Sequence, residues 1–228
     1  MDDGVERVGA DRRTFVTMVV HELRGPLTAA LGMSEMLASG EGLDARMTEE
    51  LRAGVYEAVE RLVTMLDDVL LVGAGPDRGA ARQAVDPGQA LGAGLAGDPA
   101  AEAHAAALSG APAVAGDPGA VARCLAELIR NGRAPSAGRV EPRLAWTADR
   151  EWVTVNVVDD GPQILVDERG LALARLDRPP GSLRSGRNPG LGVQVAAVLA
   201  AAQGGAVSID DEPGGGCVFR LTLPRAVA

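Results

Sequence analysis

Two long apolar seams joined by a six-residue turn constrain this chain more than any other feature. Val16, Val20, Leu23, Leu27, Ala30, Ser34 and Leu37 recur alternately four and three apart, a heptad row with one polar member. After the turn SGEGLD a second row follows: Leu51, Val55, Ala58, Leu62, Met65 and Val69. This spacing predicts α-helices from about Asp11 to Ala38 and from about Ala45 to Leu71, folded back as an antiparallel hairpin. A single hairpin leaves much of each stripe wet, so two copies are expected to pair as a four-helix bundle. Residues 1–10 are polar and expected to fray, which gives a helical domain over 11–72.

The periodicity stops at VGAGPDRGAARQ, and residues 73–81 read as a Gly-rich linker. Residues 82–228 read as a second, mixed α/β domain. A strand near Arg82–Val85 precedes a weak helix over Gly88–Leu95; the Ala-rich stretch to Ser109, with His104, gives no assignable pattern. Asp117-Pro118 is a helix start, with Asp as N-cap and Pro in the first turn, and that helix runs to about Asn131. Strands are expected at Arg143–Thr147 and Val153–Val158, then a Gly/Pro/Arg-rich loop to Pro189 and a helix over Val193–Ala202. AVSIDD-EPGGG-CVFRLTLP closes the fold as a hairpin whose alternation fits a sheet covered on one face.

Aromatic residues are only 2% of the chain, so the core must be built from Ala, Val, Leu and Met. Every basic residue is arginine, and the net charge of -9 disfavours a sequence-independent grip on nucleic acid. Cys124 and Cys217 form neither a metal knuckle nor a disulfide framework, which makes a reducing cytoplasm the expected compartment. No apolar run reaches the roughly 18–20 residues a membrane span needs, so this chain is expected to be soluble.

One of the two histidines sits in HELRGPLT on the first helix. Thr14, Thr17, His21, Arg24 and Thr28 share a stripe away from the seam, so the imidazole is expected to face solvent. A lone exposed histidine usually does nothing. Glu22, however, could accept one imidazole proton and leave the other nitrogen nucleophilic. Pro26 removes a backbone donor and should kink the helix.

FVTMVVHELRGPLTAALGMSEML resembles the phosphoacceptor helix of bacterial two-component sensor histidine kinases. The resemblance implies a dimeric helical hairpin followed by an α/β sandwich of the Bergerat ATP-binding type with a mixed sheet. It implies that His21 takes the γ-phosphoryl group of ATP with Glu22 as base or orienting group. It also implies transfer to an aspartate on a response regulator receiver domain. Four residues after the histidine many members carry Thr or Asn to position water for dephosphorylation; here Gly25 stands there.

DPGAVARCLAELIRNGRAPS resembles the family's asparagine box, with Asn131 as the Mg²⁺ ligand. Glu127, one turn earlier on the same face, lies where related gyrase-type ATPases keep a catalytic glutamate. Ala134 and Pro135 stand where the family often has Lys and an aromatic, and Arg133 is the candidate replacement charge. VTVNVVDDGPQI resembles the first glycine box, which implies that Asp159 accepts from the adenine amino group and Gly161 lets backbone approach the ring. Gln163 replaces its second glycine. NPGLGVQVAAVLAAAQGG resembles the second glycine box: Gly190, Leu191 and Gly192 open a helix whose amides suit phosphate. Arg184 and Arg187 are further phosphate candidates.

Singly, each motif has a plain structural reading as a capped helix, an Asp-Asp-Gly turn or a solvated loop. Their order points instead to an Mg-ATP-dependent histidine autokinase. Two alternatives stand beside it: a phosphotransfer or scaffold protein with a degenerate ATP-binding domain, and an ATPase in which Glu127 activates water.

Overall fold

The computed structural model describes residues 3–74, 82–133, 140–173 and 191–227, with backbone alone at 3–18, 21–22, 72–74 and 171. The chain divides into two compact units that part between Leu70 and Leu71.

The first unit is the hairpin. Helix α1 (Asp3–Ser39) starts well upstream of the expected Asp11, so the region expected to fray is helical; no proline precedes Pro26, and α1 runs on through that residue. Asp44 opens α2 (Ala45–Ala74) by accepting from the Met47 amide at 2.7 Å. On α2 the predicted seam faces inward: Leu51, Val55, Leu62, Met65 and Val69 are half-buried and Ala58 is buried. On α1 the seam is re-phased. The covered row is Leu23, Pro26, Ala30, Met33 and Leu37, while Val20, Leu27 and Ser34 are exposed. Packing decides between neighbours: the Met33 thioether fills the space beside Gly54, where a Cβ would come 2.5 Å from Sδ. Ser34 instead donates to the Ala30 carbonyl of its own helix at 2.7 Å.

The second unit is a two-layer sandwich. Its main sheet has the order β3 (Arg143–Ala148), β4 (Trp152–Val158), β6 (Cys217–Pro224), β5 (Ala206–Asp211). A two-stranded sheet pairs β1 (Gln83–Val85) with β2 (Val114–Gly116). All pairings among the described strands are antiparallel, where a mixed sheet was expected. Helices α3 (Pro87–Gly94), α4 (Ala101–Ala107), α5 (Pro118–Gly132), α6 (Val166–Leu173) and α7 (Leu191–Ala202) complete the unit.

Alternation along β4 buries Val153, Val155 and Val157 against the helices. Phe219, Leu221 and Leu223 of β6 extend that layer, and Val121, Cys124, Leu125, Leu128 and Ile129 of α5 cover it. The aliphatic core foreseen from composition is present: among the largest fully buried side chains, Phe219 is the one aromatic. Both cysteines are free and buried, and desolvation pushes the Cys124 thiol up to about 12, so it carries no thiolate at neutral pH.

Candidate active site

Helix α5 is fixed at its start by Asp117, whose carboxylate accepts from the Ala120 amide at 2.8 Å, with Pro118 in the first turn. From that anchor the helix presents Glu127 and Asn131 one turn apart. Asn131 is buried at 9% exposure, and its Nδ2 has no hydrogen-bond partner among the described residues. Such an orphaned donor costs about 1–3 kcal/mol unless something binds there. Glu127 is nearly as covered, its side chain 12% exposed. Its Oε1 accepts from Arg130 Nη1 at 2.6 Å. Its other oxygen lies against Gly192 in the first turn of α7, so close that a Cβ there would come 2.4 Å from Oε2. A side chain at Gly192 would displace the Glu127 carboxylate from its present position, and Leu191 beside it is buried. Gly190, Arg184 and Arg187 lie outside the described residues.

Asp159, at the end of β4, is 4% exposed. Its Oδ1 accepts from the Gly161 amide at 3.0 Å and the Cys217 amide at 3.3 Å. The close packing is completed by Gly216, whose φ of 104° is open to glycine and whose Cβ would strike the Asp159 carbonyl at 1.9 Å. The Cys217 thiol continues the latch: it accepts from the Ile164 amide at 3.4 Å and lies 3.6 Å from the Pro162 carbonyl, to which it donates. This role for Cys217 went unforeseen, although its place after three glycines at the start of a strand was a usable signal. Gln163 donates from its side-chain amide to the Glu212 carbonyl at 3.4 Å.

Arg133 sits in a charge cluster. The residue expected to supply charge to the phosphates has carboxylate partners within its own unit. Nε donates to Glu141 at 2.5 Å, and Nη1 and Nη2 both bond Asp98. His104, 6% exposed, brings Nε2 to 2.7 Å from Glu141 and 3.2 Å from Arg133 Nη2. One nitrogen cannot donate and accept at once, so the shorter contact takes the proton to the carboxylate. The hydrogen bond from Arg133 holds the Asp98 carboxyl below its ordinary range. Burial pushes Glu141 up, but bonds from His104 and Arg133 outweigh it and leave Glu141 lowered.

His21 and Glu22 lie on α1, in helical register with the exposed Arg24 and Thr28. Their side chains lie outside the described residues. A Cβ at Gly25 would meet nothing within 4 Å. A cleft of about 190 Å³ beside Asp159, lined among others by Arg143, Asp160, Glu212 and Gly215, includes none of Glu127, Asn131 or Gly192.

Comparison with known proteins separates the same two regions. The His Kinase A (phospho-acceptor) domain model matches residues 11–74. The model of the histidine kinase-, DNA gyrase B- and HSP90-like ATPases matches residues 116–227. Sensor protein KdpD of Mycobacterium tuberculosis is 30% identical over 97% of this chain and 27% of its own length. Sensor histidine kinase MtrB of Mycobacterium bovis is 30% identical over 96% of this chain and 40% of its own. The chain thus spans well under half the length of these relatives. Among solved structures, Acinetobacter baumannii histidine kinase AdeS shares the fold with a TM-score of 0.59 at 18% identity, over 91% of this chain and 98% of that one. With both matched regions in the order of the motifs and together covering most of the sequence, the chain belongs to the two-component sensor histidine kinases.

Proposed function

We propose that this chain is a histidine autokinase core, which phosphorylates its own His21 from Mg-ATP and passes the phosphoryl group to the receiver-domain aspartate of a response regulator. The observation that carries the reading is the buried Asn131 amide, whose Nδ2 has no hydrogen-bond partner among the described residues, one turn along α5 from Glu127, which itself lies against the first turn of α7. A phosphate oxygen satisfies that donor, and the α7 N-terminus adds amides suited to anions. Asp159, already oriented by two backbone amides, is set to accept from an exocyclic amine such as that of adenine.

The donor set also fits magnesium bound with the nucleotide. Asn131 would hold the ion through its amide oxygen, a hard ligand of the kind magnesium takes beside phosphate. When bound, the ion supplies neutralisation of phosphate charge. The protein's own steps are these. Glu22 accepts the proton on one imidazole nitrogen of His21. The other nitrogen attacks the γ-phosphorus, forming an N–P bond while the bond to the β–γ bridging oxygen breaks and ADP leaves. The phosphoramidate then loses its phosphoryl group to the partner carboxylate. The exposed apolar rows of the hairpin support action as a homodimer; an input domain upstream and a cytoplasmic setting belong to the same reading.

The scaffold alternative is disfavoured by Asn131, since a decayed site has no use for a buried, unsatisfied amide. Calorimetry with Mg-ATP tests the reading: wild type binds, and Asn131→Ala and Asp159→Ala each lose at least tenfold in affinity, the scale of one or two hydrogen bonds to a charged ligand. Wild type with no Mg-ATP heat overturns it, and steady phosphate release with no protein-bound label would establish the ATPase alternative.

A further inference from the structure

Glu127 poses an electrostatic problem. It is a covered carboxylate against the first turn of α7, the place where, on the reading above, phosphates bind. Like charges brought together where solvent is partly excluded repel. Arg130, one turn along α5, supplies the compensation: Nη1 donates to Glu127 Oε1 at 2.6 Å, and Nη2 donates to the Gly94 carbonyl at 3.3 Å. Gly94 is the last residue of α3, so its carbonyl belongs to a helix end that favours a cation. Gly94 also packs tightly on α5: a Cβ there would come 2.5 Å from the Ala122 carbonyl. Arg130 is thus braced at one end by α3 and holds Glu127 at the other.

We infer that Arg130 is a positioning residue of the nucleotide site. It neutralises Glu127 and ties down Oε1, which leaves Oε2 facing the start of α7 and lets polyphosphate enter beside a glutamate. This inference rests on the nucleotide reading of the site. It makes Arg130 a determinant of phosphate-chain recognition, acting through Glu127 and without touching the nucleotide.

The test is calorimetric titration of the full chain with Mg-ATP, Mg-ADP and adenosine. The variants are Arg130→Met, Arg130→Lys and the double variant Arg130→Met with Glu127→Gln, with thermal melting as the fold control. Arg130→Met is expected to weaken Mg-ATP about tenfold, the scale of a partly screened charge contact. The loss should be smaller for Mg-ADP and absent for adenosine. Arg130→Lys should keep most of the affinity, and the double variant should recover Mg-ATP binding because the unneutralised carboxylate is gone. Equal losses for all three ligands, or no recovery in the double variant, would mean that Arg130 only supports the fold and would overturn the inference. Wild type that binds Mg-ATP with Arg130→Met unchanged overturns the inference alone; wild type that binds none removes the nucleotide reading with it.

Discussion

At the residue scale, the site separates into groups that local pattern announced and groups that it could not. Asn131, Glu127, Asp159 and Gly192 are proposed because each sits at a fixed place in a short motif, and the described structure brings Glu127 against Gly192. The partners of Arg133 were not legible in the sequence. Asp98 and His104 lie 35 and 29 residues away, and no spacing rule reveals such a cluster. Gly25 offers the cleanest single-residue experiment. With open space around its Cβ position and no side chain to orient water, wild type should dephosphorylate its partner regulator very slowly. Gly25→Thr should fit without strain and raise that rate, read by loss of label from the phosphorylated regulator. A wild type already fast in that assay would contradict this account of Gly25.

At the element scale, periodicity served long segments and failed short ones. On α2 the residues of the expected row, Leu51 to Val69, are covered, because that apolar register continues unbroken along the helix. On α1, Pro26 competes with Leu27 and Met33 with Ser34, and only the facing helix decides. Strand β2 and helix α6 are too short for a period to show, and α4 is Ala-rich without contrast. What anchors α4 is His104, which reaches the Arg133–Glu141–Asp98 cluster. That cluster ties α4 and the turn at Asp98 to the C-cap of α5 and the approach to β3.

Its carboxylates give a pH signature. Asp98 and Glu141 titrate lower folded than unfolded, so their stabilisation is present above about pH 4.5 and disappears as acid protonates them. Arg133→Met should therefore lower the melting temperature at pH 7 by a few degrees, and the gap to wild type should close below about pH 4. A gap that is constant with pH would show that packing, not charge, is what Arg133 contributes.

At the scale of the whole molecule, the two units differ in how complete they are alone. The α/β unit buries a continuous aliphatic core. The hairpin leaves Val20, Leu27, Leu31, Tyr56, Val59, Val63, Leu66 and Leu70 exposed, Leu70 at 70%. On α2 those residues recur three and four apart, a second stripe of the kind that pairs helices into bundles. The account expects a dimer in solution. Val63→Glu combined with Leu66→Glu should shift it to monomer in light scattering coupled to size exclusion, with helical content kept; a monomeric wild type would contradict it.

The most direct test of the autokinase assignment is the position of the phosphoryl group itself. Wild type incubated with γ-labelled ATP and magnesium should acquire acid-labile, alkali-stable label that maps to His21, and His21→Gln should acquire none while still binding nucleotide. Label that survives that substitution, or none on a wild type that binds Mg-ATP, would contradict the account.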